Sequence, residues 1–240
     1  MRKPTGYQRR ILMNPLPNRQ TKIARLTEEI CADYASTSNT TGLDRPSPAI
    51  LRAIANVPRD QFVSRSSLDH AWDNTALPIG HRQTISQPFI VALMTDLLAL
   101  QPGAKVLEVG TGCGYQTAIL AELSVDVYSI EVIPELAHTA HERLQTLGYD
   151  QVHTRSGDGH AGWPEAAPFD GIIVTAAASC IPAPLLQQLA VGGHMVIPVD
   201  TGWDAQMLVV GEKKENGELE TRRVLAVRFV PLVDTGGGAG

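Results

Sequence analysis

Cysteine is scarce in this chain. Only Cys31, Cys113 and Cys180 occur among 240 residues, far apart in sequence. An odd, sparse count excludes a disulfide framework and fits a reducing compartment. No apolar run reaches the roughly 18 residues a membrane span needs. The first residues lack the apolar core of a secretory signal, since Ile11, Leu12 and Met13 are too few. A cytoplasmic protein with no membrane partner is therefore expected. The seven histidines and three cysteines lack metal-ligand spacing. His138 and His141 share a helix face, yet no carboxylate or cysteine set completes a site, so no metal is expected. No internal repeat is visible.

Acidic residues are missing from the first 25 positions, which hold seven bases and leave −12 on the remainder of a chain with net charge −5. A basic end of this kind reads as a solvated tail. The overall charge and a pI near 5.8 give no sign of a nucleic-acid partner. Hydrophobic residues make up 43%, enough for one large domain with extensions.

The N-terminal part, residues 1–57, reads as an extension carrying helices. Residues 1–20 are proline-punctuated, and Thr21 to Tyr34 has helical periodicity through Ile23, Leu26 and Ile30. The polar run Ala35 to Arg45 reads as a loop. Ser47-Pro48 has the form of an N-cap and first helical residue, opening a helix to Asn56 that buries Ile50, Leu51 and Ile54. Leu77 to Pro88 has loop chemistry. Phe89 to Leu100 is apolar nearly all round, as a fully buried helix must be.

From Lys105 onward, apolar runs alternate with helical patterns. Strands are expected at 105–109, 126–130, 152–156, 171–175 and 193–198, with helices at 115–123, 134–147 and 182–190. This predicts an α/β, doubly wound, mostly parallel sheet. Residues 206–212 and 219–230, joined through Asn216-Gly217, predict an antiparallel hairpin at one edge. The domain is expected over 58–233, with a disordered tail at 234–240.

The chain is organised around Lys105 to Tyr115, K-V-L-E-V-G-T-G-C-G-Y. A buried strand, a glycine turn and a helix start make the first ligand crevice of an open α/β sheet. A dinucleotide turn wants G-x-G-x-x-G. Here the third glycine, Gly114, comes one position early, and the run from Glu108 through Gly110, Gly112 and Gly114 is the E-x-G-x-G-x-G pattern of S-adenosylmethionine-dependent methyltransferases. Glu131 ends the second strand, where an acid accepts from ribose hydroxyls; alone it does not distinguish S-adenosylmethionine from NAD. Asp158, between Gly157 and Gly159, sits where a carboxylate can accept from an adenine amino group, although a turn Asp between glycines is common.

Other motifs are more specific. Ala71-Trp72-Asp73-Asn74, Pro78-Ile79-Gly80, Gln83-Thr84-Ile85-Ser86-Gln87-Pro88, Ile172 to Ala177, and Val227 to Leu232 strongly resemble the protein-L-isoaspartate O-methyltransferase family, over about Pro58 to Leu232. The resemblance implies a Rossmann-like class I methyltransferase. It would use S-adenosylmethionine to methylate the α-carboxylate of L-isoaspartyl, and D-aspartyl, residues in damaged proteins, whose ester then collapses to a succinimide. It implies Ser86 as the active-site residue. It implies Thr84, Ile85, Glu108, Gly110, Thr111, Gly112, Gly114, Glu131, Asp158 and Gly159 around the cofactor. A monomer is expected, with isoaspartyl proteins and peptides as partners. A class I enzyme acting on another carboxylate or other acceptor is the alternative. Two positions depart from the family pattern. Arg82 stands where many members have glycine, and Cys113 where serine is frequent; the cysteine reads as a small filler. Ser86 precedes the buried helix, so a plain N-cap role competes with the catalytic one.

Overall fold

The computed structural model describes residues 18–202 and 205–233. The basic segment before Asn18 and the glycine-rich end after Val233 lie outside the described residues. Helix α1 (Arg19–Thr41) begins where the Asn18 side chain accepts from Thr21 N and ends at Gly42 in the left-handed region, whose N–H donates to Ser38 O. The polar run expected as a loop from Ala35 is helical through Thr41. The reason is local: the hydroxyls of Ser36, Thr37, Ser38 and Thr40 donate back to carbonyls three or four residues earlier. Side chains that otherwise compete with a helix are thereby satisfied inside it. Helix α2 (Pro48–Asn56) is capped by Ser47, as the Ser-Pro pair predicts, and buries Ile50, Ala53 and Ile54.

Strands β1 (Leu77–Gly80) and β2 (Gln83–Ile85) form a small antiparallel hairpin where a loop was expected. The sequence hides it because its turn residues, His81 and Arg82, are not glycines yet adopt φ of 50° and 59°. Arg82 is exposed. A left-handed backbone such as this is the conformation that favours glycine.

Helix α3 (Pro88–Leu97) is buried on nearly every face, including Phe89, Val91, Ala92, Leu93, Met94 and Leu97. It packs on α1, α2 and the sheet. The sheet follows in β/α alternation: β3 (Lys105–Val109), α4 (Tyr115–Ala121), β4 (Asp126–Glu131), α5 (Pro134–Thr146), β5 (His153–Ser156), β6 (Phe169–Val174), α6 (Ala183–Gln188), β7 (Leu189–Asp200), β8 (Gln206–Lys213) and β9 (Leu219–Val227). The order is β5-β4-β3-β6-β7-β8-β9, parallel from β5 to β7 and antiparallel through β8 and β9. The chain moves outward from β3 to β4 and β5, then returns to β3's other side at β6. That reversal places a crevice at the C-terminal end of β3.

The main core cluster runs across the expected 57/58 boundary. Leu26, Ile30 and Tyr34 of α1 share it with Phe89, Leu93, Val106 and Ile119. Each such side chain contributes about 1.5–3 kcal/mol on burial. The Tyr34 hydroxyl donates to Asp96 Oδ2 at 2.8 Å, and its ring meets Phe89 edge-on at 5.6 Å. Asp96 Oδ2 also accepts from Ser47 N at 3.0 Å. Tyr34→Phe is expected to cost about 1 kcal/mol, the net worth of one such bond, and to shift a single unfolding transition in urea. A separate early transition confined to the helical signal would show that α1 unfolds as its own unit.

Candidate active site

The glycine turn is held open by backbone demands on both sides. Gly110 and Thr111 both donate to Ile130 O, at 2.8 and 3.2 Å, which docks the turn on β4. Gly110 has φ of 101°, and a Cβ there would run into the Thr175 hydroxyl. That hydroxyl donates to Gly110 O at 2.6 Å, so residue 110 has neither the torsion nor the space for a side chain. Gly114 serves a different neighbour: a Cβ on it would lie 3.3 Å from Leu144 Cγ in α5. It admits the packing of α5 and does not line the cavity.

Glu131 ends β4 with its side chain under the turn, only 5% exposed. Its Oε2 accepts from Gly112 N at 2.7 Å and its Oε1 from Ile133 N at 3.0 Å. Each oxygen keeps a further lone-pair direction free. Glu131 is therefore not an exposed strand-end acid.

Glu108 lies one layer deeper and is fully buried. Its Oε2 accepts from Thr117 Oγ1 at 2.5 Å and Ser129 Oγ at 2.6 Å, while Oε1 has no partner among the described residues. Burial pushes its carboxyl up to about 8; the Ser129 and Thr117 hydroxyls oppose this, and the Glu131 charge adds to it. Ser129 Oγ also meets Thr111 Oγ1 at 2.6 Å. Glu108 thus reaches the turn through two hydroxyls and does not itself face the cavity.

The cavity at the end of β3 is lined by eight of the eleven residues singled out from the sequence: Thr84, Ile85, Ser86, Gly110, Thr111, Gly112, Glu131 and Gly159. Glu108, Gly114 and Asp158 stand outside its lining. Asp158 is held in a local turn, its Oδ1 accepting from His160 N at 2.8 Å; its side chain is 31% exposed and Oδ2 carries no bond among the described residues. Gly159 is required sterically, because a Cβ would sit 2.5 Å from Val109 Cγ1. Cys113 is buried in the wall and burial pushes its thiol up, which fits a small filler and not a nucleophile.

Sequence reasoning missed several lining residues. Ile133 lies two residues after Glu131 and gives the cavity an apolar wall, a position that closeness to the acid would have flagged. Thr175 and Val230 lie inside motifs that were recognised without a site role. The missing information was topological. Ala177 N donates to Val230 O at 2.8 Å and Leu232 N to Ala177 O at 2.7 Å, so the chain after β9 is strapped beyond the end of β6 and roofs the cavity.

A second, wider groove adjoins the first, between the Thr75–Ile90 region and residues 225–230, with Asp33 of α1 in its wall. Thr84, Ser86, Thr175 and Val230 line both spaces. Ser86 therefore stands where they meet. It is not an N-cap: α3 is preceded by Gln87 with no side-chain cap from that position, and Phe89 N donates instead to Asn74 Oδ1 at 3.0 Å. The Ser86 hydroxyl makes no cap bond to α3 and has no hydrogen bond among the described residues.

The Glu108 environment sets a pH dependence. Its carboxyl has a raised folded-state pKa, so the fold keeps a proton that the unfolded chain releases, and stability falls as pH rises from about 4.5 through about 8. Glu108→Gln, which keeps an acceptor for both hydroxyls, is expected to flatten the melting temperature across that window. An unchanged pH slope in thermal denaturation would refute a retained proton.

Comparison with known proteins agrees with this architecture. The family model described as protein-L-isoaspartate(D-aspartate) O-methyltransferase (PCMT) matches residues 40–237. The chain is 54% identical over 214 residues to protein-L-isoaspartate O-methyltransferase 2 of Syntrophobacter fumaroxidans, covering 89% of this chain and 86% of that one. It is 52% identical over 207 residues to the corresponding enzyme 2 of a Polaromonas species, covering 86% and 98%. A solved protein-L-isoaspartate O-methyltransferase superposes with TM-score 0.74 at 27% identity, over 88% of this chain and 66% of that one. A Plasmodium falciparum beta-aspartate methyltransferase, solved in complex with S-adenosyl-L-homocysteine, gives TM-score 0.76 at 23% identity, over 92% and 100%, a likeness of fold. With a family model spanning most of its length and relatives above half identity, this chain belongs to the protein-L-isoaspartate(D-aspartate) O-methyltransferase family.

Proposed function

We propose that this chain transfers a methyl group from S-adenosylmethionine to the α-carboxylate of L-isoaspartyl residues in damaged proteins and peptides, starting their repair through a succinimide. The observation that carries this reading is the meeting of two spaces at Ser86 and Thr175. One is narrow and walled by the glycine turn and Glu131, and the other is a wider groove.

The donor cavity fits the cofactor. Bound S-adenosylmethionine supplies an electrophilic sulfonium methyl group. The Glu131 carboxylate, fixed by two backbone amides, would take the ribose hydroxyls on its free lone pairs. Gly110 and Gly112 line the cavity with backbone alone, in positive-φ conformations that side chains disfavour. Ile133 and Leu232 give apolar walls suited to the adenine, with Asp158 Oδ2 placed beyond Gly159 as an acceptor for its amino group.

The acceptor is a carboxylate, already ionised near pH 7 because such groups titrate near 4. No general base is needed, and none of the described residues that line both spaces, Thr84, Ser86, Thr175 and Val230, is one. The protein's task is orientation, which in favourable cases is worth ~7–11 kcal/mol. The Ser86 hydroxyl, free of internal partners, would donate to one acceptor oxygen and aim the other toward the donor cavity. Thr175 Oγ1 is committed to Gly110 O and Val109 O, so it shapes the junction without competing for the acceptor. Val230 of the strap and Thr84 of the β1–β2 hairpin line both spaces where they meet.

Two outcomes test the assignment. Ser86→Ala should fold normally and bind S-adenosylhomocysteine with unchanged affinity, while turnover of an isoaspartyl peptide falls about 10²-fold, as for loss of one positioned donor. Methanol release from labelled cofactor, with the normal aspartyl twin as control, is the readout. Full activity in this variant, or equal activity on the twin, would sink the reading. Glu131→Gln should weaken S-adenosylhomocysteine binding at least ~10-fold in calorimetry. Its amide would turn a donor toward either Gly112 N or Ile133 N and leave that contact repulsive. Unchanged affinity would remove Glu131 from the cofactor site.

A further inference from the structure

Helix α1 supplies a carboxylate to the acceptor groove. Asp33 lies in its wall, and its Oδ2 accepts from Asn74 Nδ2 at 2.8 Å. The other end of the same Asn74 amide accepts from Phe89 N, at 3.0 Å. That N–H belongs to the first turn of α3, three residues past Ser86, and neither Ser86 nor Gln87 caps it. Asp33 lies before the first residue of the family match, at position 40.

The chemistry of the chain Asp33–Asn74–Phe89 is directional. An ionised carboxylate is acceptor-only, so Asp33 fixes which end of the Asn74 amide faces it: the NH₂. The amide oxygen must then face Phe89 N. Without Asp33, only the Phe89 N–H still selects the amide's orientation, and rotation of the unanchored Asn74 side chain would withdraw the oxygen from it. The first turn of α3 would lose its cap and the Ser86–Pro88 segment its anchor. Helix α1 cannot drift to compensate, because the adjacent Tyr34 is fixed to Asp96 and to the Phe89 ring.

We infer that Asp33 and Asn74 are positioning residues for methyl transfer. Through the Asn74 amide, Asp33 fixes the start of α3 and so the placement of Ser86 at the junction of the two spaces. This rests on the reading above that the groove receives the acceptor. The donor cavity is lined by neither residue, so cofactor affinity should be independent of them.

The test is a swap. Asn74→Asp puts two carboxylates face to face and should cut kcat/KM for an isoaspartyl peptide at least ~10-fold, chiefly in kcat, with the dissociation constant for S-adenosylhomocysteine unchanged. The double variant Asp33→Asn/Asn74→Asp rebuilds the same bonds with the charge moved by one residue, and should recover to within about threefold of the parent. Asp33→Ala alone should show the kcat loss, and it keeps the test open should Asn74→Asp fail to fold. The inference is overturned if Asp33→Ala retains parental kcat. A matching loss of cofactor affinity would overturn it by revealing general disturbance. Failure of the double variant to recover would overturn it too, and a loss confined to lysine-flanked peptides would point to charge selection by Asp33 in place of positioning. A parental enzyme inactive on the isoaspartyl peptide would instead bring down the underlying reading, and that control is measured first.

Discussion

The fold depends on hiding helix α3. Its residues are apolar around the whole circumference, so no single sheet face can satisfy it, and it must be wrapped. The sheet covers one side; α1 and α2 cover others. The helices before residue 58 therefore share the central core. The same burial makes the start of α3 a problem, since the first amides of a helix need partners and water is excluded there. Proline removes one donor, and Asn74 takes another. An apolar stretch demanded by packing thus brings a fixed helix start, and the serine preceding it, to the edge of the sheet's main crevice.

The other half of the site is organised by acids that sit behind the glycine turn. Glu131 is clamped by two amides that hold it oriented at the cavity wall. Glu108, wholly buried and rich in hydroxyl partners, is held toward its neutral form by burial and by Glu131 nearby. Two carboxyl groups within one turn would repel if both were charged; the deeper one avoids this by keeping its proton. The division resembles the way many sites set two acids apart by environment alone.

Much of this was legible in the residues. The strand–turn–helix at Lys105 to Tyr115, the alternation after it and the Asn-Gly hairpin fall where periodicity and turn chemistry place them. The glycine spacing separated this turn from a dinucleotide fold, and Glu131 falls at the cavity wall. Three things were not legible. The hairpin over the cavity turns through His81 and Arg82, residues that carry no turn signal, so it read as loop. The serine- and threonine-rich end of α1 read as loop because the backbonding that keeps it helical is invisible to propensity. The partnership of Thr175 with Gly110, and of Val230 with Ala177, depends on which strand ends lie side by side, and periodicity says nothing about that. Glu108 and Gly114 sit in the right motif, yet each faces a neighbour outside the cavity lining, and Asp158 lies beside the lining residue Gly159 without joining it.

The strap formed by Val230 to Leu232 has a consequence for biosynthesis. The donor cavity draws on residues from Gln83 to Val233, and its roof is made after every strand of the sheet. A chain still being synthesised can present the glycine turn and Glu131 long before that roof exists. A copy that ended before Val230 would lack residues that line both spaces. Competence arrives as a late event in the life of the polypeptide, set by the order in which its pieces emerge.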